Sequence, residues 1–121
     1  MSNTRLTGGE AIVQGLLSHD VDTVFALPGA QIYGLFDAFK QAEPRLKTIG
    51  SRHEQGVAYM AFGYARASGK PGVYAVVPGP GFLNSAAALL TAAGSTTPVM
   101  CVCGQINVGM LGRERGPACR R

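Results

Sequence analysis

Glu54 is the residue of this sequence whose type and setting point most clearly to proton chemistry. Small apolar residues follow it at helical spacing, namely Val57, Ala58, Ala61 and Ala65. The pattern predicts a helix that ends near Ser68-Gly69 and turns this stripe toward the interior. A carboxylate at the edge of an apolar interior loses solvation, so we expect the pKa of Glu54 to be raised. Such a group can share a proton near neutral pH, which makes Glu54 a candidate catalytic residue.

Glu54 also has a purely structural interpretation. Ser51-x-x-Glu54 fits the capping-box pattern, in which the glutamate reaches back to a backbone N–H and only starts the helix. An acidic residue in a first turn also suits the helix macrodipole. Spacing alone favours the cap, so the chemical interpretation depends on neighbouring motifs.

Three segments that follow predicted strands could form one ligand site. They are Pro28-Gly29, Glu54, and Pro78-Gly79-Pro80-Gly81. In open α/β sheets the ligand crevice lies just beyond the carboxyl ends of the strands. Glycines there allow a flat ligand to approach the backbone closely. Each segment alone is better explained as a turn, but the three together predict a binding site.

Strands and helices alternate along the chain at a spacing of about 25 residues, which is typical of βαβ units. Apolar runs predict strands at 23–27, 46–49, 73–77 and 99–103. Helices are predicted between them, and the helix at 84–93 is apolar on almost all sides, so we expect it to be buried. We therefore predict an α/β fold with an open parallel sheet and helices on both faces. No strand pattern follows Gly104, so we expect an incomplete sheet with an open edge.

The composition of the chain argues against two classes of partner, nucleic acids and membranes. A length of 121 residues suits one domain, and three of the four net positive charges fall in the last nine residues. With no basic patch interleaved with aromatics, a nucleic-acid partner is not expected. No apolar run is long enough for a membrane span and no signal pattern is present, so a membrane partner is not expected either. Cys101 and Cys103 are interpreted as buried small hydrophobes in a reducing compartment, which predicts a cytoplasmic protein.

Two phosphate-binding motifs are incomplete in this sequence. Gly79-Pro80-Gly81 follows a strand, but Asn84 stands where a dinucleotide motif has its third glycine. Cys103 and Gly104 occupy the region where that motif has an acidic residue. Gly63 to Lys70 has the wrong glycine spacing for a P-loop, and Pro71 replaces its Ser or Thr. A nucleotide-binding α/β domain therefore remains an alternative with weak support.

Four motifs occur in order along the chain. They are Leu27-Pro28-Gly29-Ala30, Arg52-His53-Glu54-Gln55-Gly56 with Gly63-Tyr64-Ala65-Arg66, Gly79-Pro80-Gly81-Phe82-Leu83-Asn84, and Pro98-Val99 leading to Gly104-Gln105. This combination closely resembles the N-terminal pyrimidine-binding domain of thiamine-diphosphate enzymes of the acetolactate synthase type. The resemblance extends from about Thr7 to Pro117, and we expect a single domain over residues 1–117.

The resemblance implies a role for each motif. Glu54 would hydrogen-bond the aminopyrimidine ring of thiamine diphosphate and promote activation of the cofactor, which itself carries out the carbanion chemistry. The implied cofactor-binding residues are Pro28, Gly29, Glu54, Pro78, Gly79, Pro80, Gly81, Asn84 and Gln105. The parent enzyme would be a transferase or lyase acting on 2-oxo acids, and whether it also binds FAD stays open. Because this type of site forms between two subunits, a homo-oligomer or a full-length relative is the expected partner.

One hallmark of the resembled enzymes is missing from this chain. They hold Mg²⁺ and the diphosphate with a Gly-Asp-Gly motif, whereas Asp20, Asp22 and Asp37 have no flanking glycines. We therefore expect no metal site here, and Mg²⁺ would be bound only through a domain absent from this chain. Residues 118–121 match nothing and form an unplaced tail. The chain is expected to be a truncated piece of a longer enzyme, or alternatively a non-catalytic fragment that associates with a full-length relative.

Overall fold

The computed structural model describes residues 5–112 as alternating strands and helices around one sheet. The strands are β1 (Thr23–Ala26), β2 (Lys47–Gly50), β3 (Gly72–Val76) and β4 (Val99–Cys103), and the helices are α1 (Gly8–Ser18), α2 (Tyr33–Ala42), α3 (Glu54–Ser68) and α4 (Pro80–Gly94). A short 3-10 helix follows at Val108–Met110. All four predicted strands are present to within one residue at either end. The unplaced tail at 118–121 lies outside the described residues.

The sheet has the strand order β2-β1-β3-β4, and every neighbouring pair is parallel. From β1 the chain steps outward to β2 and then returns past β1 to form β3. Phe25 is consequently paired with Ile49 on one side and Tyr74 on the other. The strand order reverses between β1 and β3, which is the position where sheets of this kind open a crevice.

Helices cover both faces of the sheet, as the sequence predicted. On one face, α1 and α2 pack over a cluster that includes Leu16, Phe39 and Val24. On the other, α3 and α4 pack over a cluster that includes Val57, Ala88 and Tyr74. Alternation of side chains along each strand supplies both clusters, because successive residues point to opposite faces. The chain is thus an α/β domain with a doubly covered parallel sheet.

Helix α1 begins with a capping box. The Thr7 N–H donates to Glu10 Oε2 at 2.7 Å, and the Glu10 N–H donates to Thr7 Oγ1 at 3.2 Å. This reciprocal pair satisfies two backbone donors that the helix start would otherwise leave free. Thr7 therefore fixes the start of α1.

The capping box predicted for α3 is wrong. His53 is the N-cap residue, and its Nδ1 accepts a hydrogen bond from the Gln55 N–H at 3.1 Å. Glu54 is consequently the first helical residue, whereas a capping box requires the glutamate at the third. The helix body follows the prediction, since Val57, Ala58, Ala61 and Ala65 are all buried and the helix ends at left-handed Gly69. Glu54 is therefore free of the capping role that competed with its chemical interpretation.

Helix α4 differs from its prediction in length and in burial. It begins at Pro80 rather than at residue 84, because proline is well tolerated at the first helical position, where its missing N–H has no intrahelical partner. Only one side of α4 is buried, and Leu83 and Leu90 are 68% and 75% exposed on the other side. Within residues 5–112, no element covers that outer face, so the apolar composition does not lead to full burial here.

Strand β4 forms one edge of the described sheet. Cys101 is half-buried and Cys103 is exposed, both as free thiols. The interpretation of Cys103 as a buried residue is wrong, because no described strand lies beyond β4 to cover it. In the part of the chain that the structure describes, no helix combines the length and the hydropathy needed to cross a bilayer.

Candidate functional site

The loops that leave β1, β3 and β4 converge at the carboxyl end of the sheet. A Cβ built on Gly29 would lie only 2.6 Å from Val77 Cγ1, so the loop after β1 packs directly on the residue that follows β3. A Cβ on Gly104 would lie 3.2 Å from the Gln31 carbonyl oxygen and 3.3 Å from Pro78 Cδ. These close approaches place the three loops at the point where the strand order reverses.

The start of α4 depends on two glycines with different roles. Gly79 is the N-cap residue and has φ 68° and ψ −119°, a conformation that strongly favours glycine. Gly81 is buried, and a Cβ at that position would lie 2.5 Å from Val77 Cγ2 and 3.3 Å from Glu54 Oε1. The first turn of α4 can therefore approach Glu54 closely only because residue 81 has no side chain.

Glu54 is partly exposed at the first position of α3, where it faces α4. The Asn84 Nδ2 donates a hydrogen bond to Glu54 Oε2 at 3.0 Å. Among residues 5–112, no other residue donates a hydrogen bond to this carboxylate. One oxygen is thus held by a neutral amide, and the other lies beside Gly81.

The pKa of Glu54 is lowered from its ordinary value, contrary to the prediction from the sequence. The hydrogen bond from Asn84 is the main cause, and it outweighs the opposing effect of desolvation. The Glu54 backbone N–H and the neighbouring His53 lower the pKa further. Because the carboxylate is only partly buried, the donor to its charged form determines the direction of the shift.

The predicted site residues do not all come together. Glu54 lies beside Gly81 and is bonded to Asn84, and Gly29 joins this group through Val77. Pro28, Gly79 and Pro80 are exposed and Pro78 is partly exposed, in the loops around this group. Gln105 follows β4 at the same end of the sheet, but its Oε1 accepts from the Ile106 N–H at 2.8 Å. Its side chain therefore bonds to its own loop and not to Glu54.

Two residues of the site were not anticipated from the sequence. Val77 packs between Gly29 and Gly81, although the apolar run had placed it inside a strand. Gln31 adopts φ 73° in the loop before α2, an uncommon conformation for a residue other than glycine. Strand periodicity did not indicate that Val77 lies in a loop, and no sequence pattern marks the conformation of Gln31.

The arrangement presents one oriented carboxylate beside glycine-lined backbone. Within the described part of the chain, no three His, Cys, Asp or Glu side chains are grouped so that they could hold a metal. A carboxylate with one oxygen fixed and the other beside a glycine can form a hydrogen bond with a ring nitrogen. The glycine-lined loops around it allow close approach to backbone atoms.

Comparisons with known proteins identify the family of this chain. Residues 6–118 match the family described as thiamine pyrophosphate enzyme, N-terminal TPP binding domain. The chain is 39% identical over 111 residues to a probable 2-ketoarginine decarboxylase of Pseudomonas aeruginosa, covering 92% of this chain and 20% of that protein. It is 36% identical over 110 residues to the acetolactate synthase isozyme 1 large subunit of Escherichia coli, covering 91% and 19%. Identity to the acetolactate synthase of Bacillus subtilis is 42% over 99 residues, covering 82% and 17%. The chain spans at most one fifth of the length of these three curated relatives.

Proposed function

The chain belongs to the thiamine pyrophosphate enzyme family as an N-terminal TPP binding domain, and we propose that it holds the aminopyrimidine half of thiamine diphosphate (thiamine pyrophosphate, TPP) through Glu54. The observation that carries this proposal is the carboxylate of Glu54, held through Oε2 by Asn84 and bordered at Oε1 by Gly81. The residues fit the group, because a side chain at position 81 would intrude on the oxygen that is to meet the ring. The cofactor, when bound, supplies the electron sink for carbanion chemistry.

Glu54 would bind and orient the ring through a hydrogen bond between Oε1 and a ring nitrogen. Its lowered pKa means that the carboxylate is ionised at neutral pH before the ring arrives. A flat ring placed over the carboxylate excludes water from it, and desolvation of this kind raises a carboxyl pKa. Docking of the ring thus favours a proton shared between Oε1 and the ring nitrogen, which is the proton handling that cofactor activation requires.

The loops on either side would complete the pyrimidine site. Gly29 and Gly81 bring backbone close to the carboxyl end of the sheet. Pro28 and the Pro78-Gly79-Pro80 segment lie in the loops on either side and would line the space that the ring enters. Gln105 lies at the same end and would contact substrate or cofactor only after its side chain leaves the Ile106 N–H.

We further propose that the chain acts as part of a larger 2-oxo-acid enzyme. The relatives include a protein named as a 2-ketoarginine decarboxylase and several named as acetolactate synthases, which supports cleavage or ligation next to a 2-oxo acid carbonyl. Mg²⁺ and the diphosphate would be held by another domain. The exposed apolar side of α4, with Leu83 and Leu90, supports assembly with a second copy or with a full-length relative.

An NMR titration of the chain with thiamine tests the pyrimidine assignment. We expect the backbone amide signals of Glu54, Gly81 and Asn84 to shift. The same shifts should appear with an analogue whose thiazolium is replaced by pyridinium, because that analogue keeps the aminopyrimidine. They should be much weaker with an analogue whose 4-amino group is replaced by oxygen.

Two variants serve as controls for this titration. Glu54→Gln should abolish the discrimination between the two analogues, because an amide cannot share a proton as a carboxyl does. Asp22→Asn removes a carboxylate at the other end of the sheet and should leave the titration unchanged. Shifts confined to residues of α1 and α2, or identical responses of both variants, would rule out this site as the pyrimidine-binding one.

A further inference from the structure

The first turn of α4 meets Glu54 at two points. Gly81 and Asn84 are three residues apart on one helix, so they lie on the same face. Gly81 is beside Oε1, and Asn84 donates to Oε2 at 3.0 Å. The positive φ of Gly79 fixes where this turn begins. The same helical turn thus affects both oxygens of the Glu54 carboxylate. Asn84 binds Oε2, and Gly81 leaves free space beside Oε1.

Within the described residues, the contact with Glu54 is the one structural role that Asn84 has. Its side chain is exposed, and within residues 5–112 the bond to Glu54 is the one hydrogen bond that it makes. It caps no helix and belongs to neither buried cluster. The neighbouring Ser85, by contrast, is fully buried and is bonded to Tyr74 at 2.9 Å.

We propose that Asn84 is a positioning residue for Glu54, holding Oε2 so that Oε1 remains directed at the space that Gly81 leaves free. This inference rests on the proposed function, and it assigns Asn84 to the carboxylate and not to the cofactor. In this arrangement the ring meets one defined oxygen of a carboxylate that cannot rotate freely. Preorganisation of this kind spares the site the cost of ordering a side chain when the ligand binds.

A neutral donor at position 84 gives orientation without adding charge. Helix α4 contains no Asp, Glu, Lys, Arg or His. The elements packed here carry other titratable groups. His53 caps α3, the Tyr59 hydroxyl on α3 is bonded to the Thr91 hydroxyl on α4, and the Tyr74 hydroxyl on β3 is engaged by Ser85. Tyr64 and Arg66 lie further along α3, and Cys101 and Cys103 lie on β4. A lysine in place of Asn84 would hold the carboxylate as an ion pair and oppose its protonation by the ring. The amide orients the carboxylate and still allows Oε1 to share a proton.

The titration of the Glu54 side chain, followed by NMR on the ¹³C-labelled chain, tests this inference without any cofactor. Asn84→Ala should raise the midpoint, because the main cause of the lowered pKa is removed. Asn84→Asp has almost the same shape but lacks the donor and adds a negative charge, so it should raise the midpoint further. Gln41→Ala removes an exposed side-chain amide from α2, on the opposite face of the sheet, and should leave the midpoint at the parental value.

A parallel titration with thiamine separates this inference from the proposed function. Asn84→Ala should weaken thiamine binding by about tenfold, the order expected for one hydrogen bond to a charged group, whereas Gln41→Ala should bind as the parent does. If the parental chain binds thiamine at Glu54 but Asn84→Ala changes neither midpoint nor affinity, the positioning role is wrong and the proposed function stands. If Asn84→Ala raises the midpoint but neither the parental chain nor any variant binds thiamine, the contact between Asn84 and Glu54 is real and the proposed function is wrong.

Discussion

Asp22 and Glu54 lie at opposite ends of the parallel sheet, and the pKa of each carboxylate is lowered by hydrogen bonds. Asp22 precedes β1 and has three partners: the Lys70 ammonium at 3.0 Å, the Thr23 hydroxyl at 2.9 Å and the Tyr64 hydroxyl at 3.1 Å. Lys70 is the largest cause of its shift. Glu54 follows β2 and has one neutral partner, Asn84. The same helix, α3, carries Glu54 at its start and Tyr64 near its end.

The number and charge of the partners distinguish a structural carboxylate from one available for chemistry. Asp22 uses both oxygens and an ion pair to connect the start of β1 with α3 and the turn after it. Glu54 has an oxygen that borders a glycine, and among residues 5–112 its carboxylate has one side-chain donor, the neutral amide of Asn84. A lowered pKa is therefore a poor guide to function in this chain, and the open oxygen is a better one.

The largest effect on stability should come from two helical glycines, Gly81 in the first turn of α4 and Gly63 inside α3. Gly81→Ala forces Val77 Cγ2 and the Glu54 carboxylate to move, which should destabilise the chain by about 1–3 kcal/mol. Gly63→Ala, next to Tyr64, meets nothing within 4 Å and should stabilise it by about 0.5–1 kcal/mol. Urea denaturation of both variants measures the difference. Equal effects would contradict the close approach of α4 to Glu54.

A smaller effect is expected from the start of α3. His53→Ala removes the acceptor for the Gln55 N–H and should cost about 1 kcal/mol. Ser51→Ala should have almost no effect, because Ser51 is not the N-cap residue. Thermal denaturation of both variants measures the difference. If Ser51→Ala lowers the melting temperature more than His53→Ala does, Ser51 is the N-cap residue and Glu54 has the structural role of a capping box.

The smallest effect should come from the Asp22 end. Asp22→Asn should destabilise the chain less than His53→Ala does, because exposed ion pairs contribute little and are screened by salt. The lowered pKa of Asp22 means that its contribution is present above the ordinary value of 3.8 and is lost as pH falls through the lowered value. Denaturation curves of parent and variant should therefore converge in acid. If the difference in stability between parent and variant instead grows as the pH falls, the Asp22 carboxylate does not stabilise the fold in its charged form.

Most of the fold could be predicted from the sequence because it depends on local periodicity. The run at 99–103 coincides with β4, and the stripe after Glu54 is buried as its spacing required. The start of α4 could not be placed in the same way, since Pro80 suits a loop and a first helical turn equally well. The prediction that α4 is fully buried was wrong for another reason. The composition of a helix does not show which other elements cover it.

The site was only partly predictable because its key contact is not local. Glu54 and Asn84 are 30 residues apart, and the bond between them reverses the pKa shift that burial alone would cause. The motif that contains Asn84 placed it near the site but gave no indication that its partner is a carboxylate. The role of Val77 could not be predicted for a similar reason, because it depends on contacts with Gly29 and Gly81, which are distant in sequence from each other.

Exchange of the thiazolium C2 proton of bound thiamine diphosphate tests the central claim most directly. The measurement uses a hybrid in which this chain replaces the matching segment of the Escherichia coli acetolactate synthase isozyme 1 large subunit. Glu54→Gln should slow the exchange by about 10²–10⁴-fold, the usual contribution of a general acid–base group, while Asp22→Asn should exchange at the parental rate. If Glu54→Gln also exchanges at the parental rate, Glu54 is not the group that activates the cofactor.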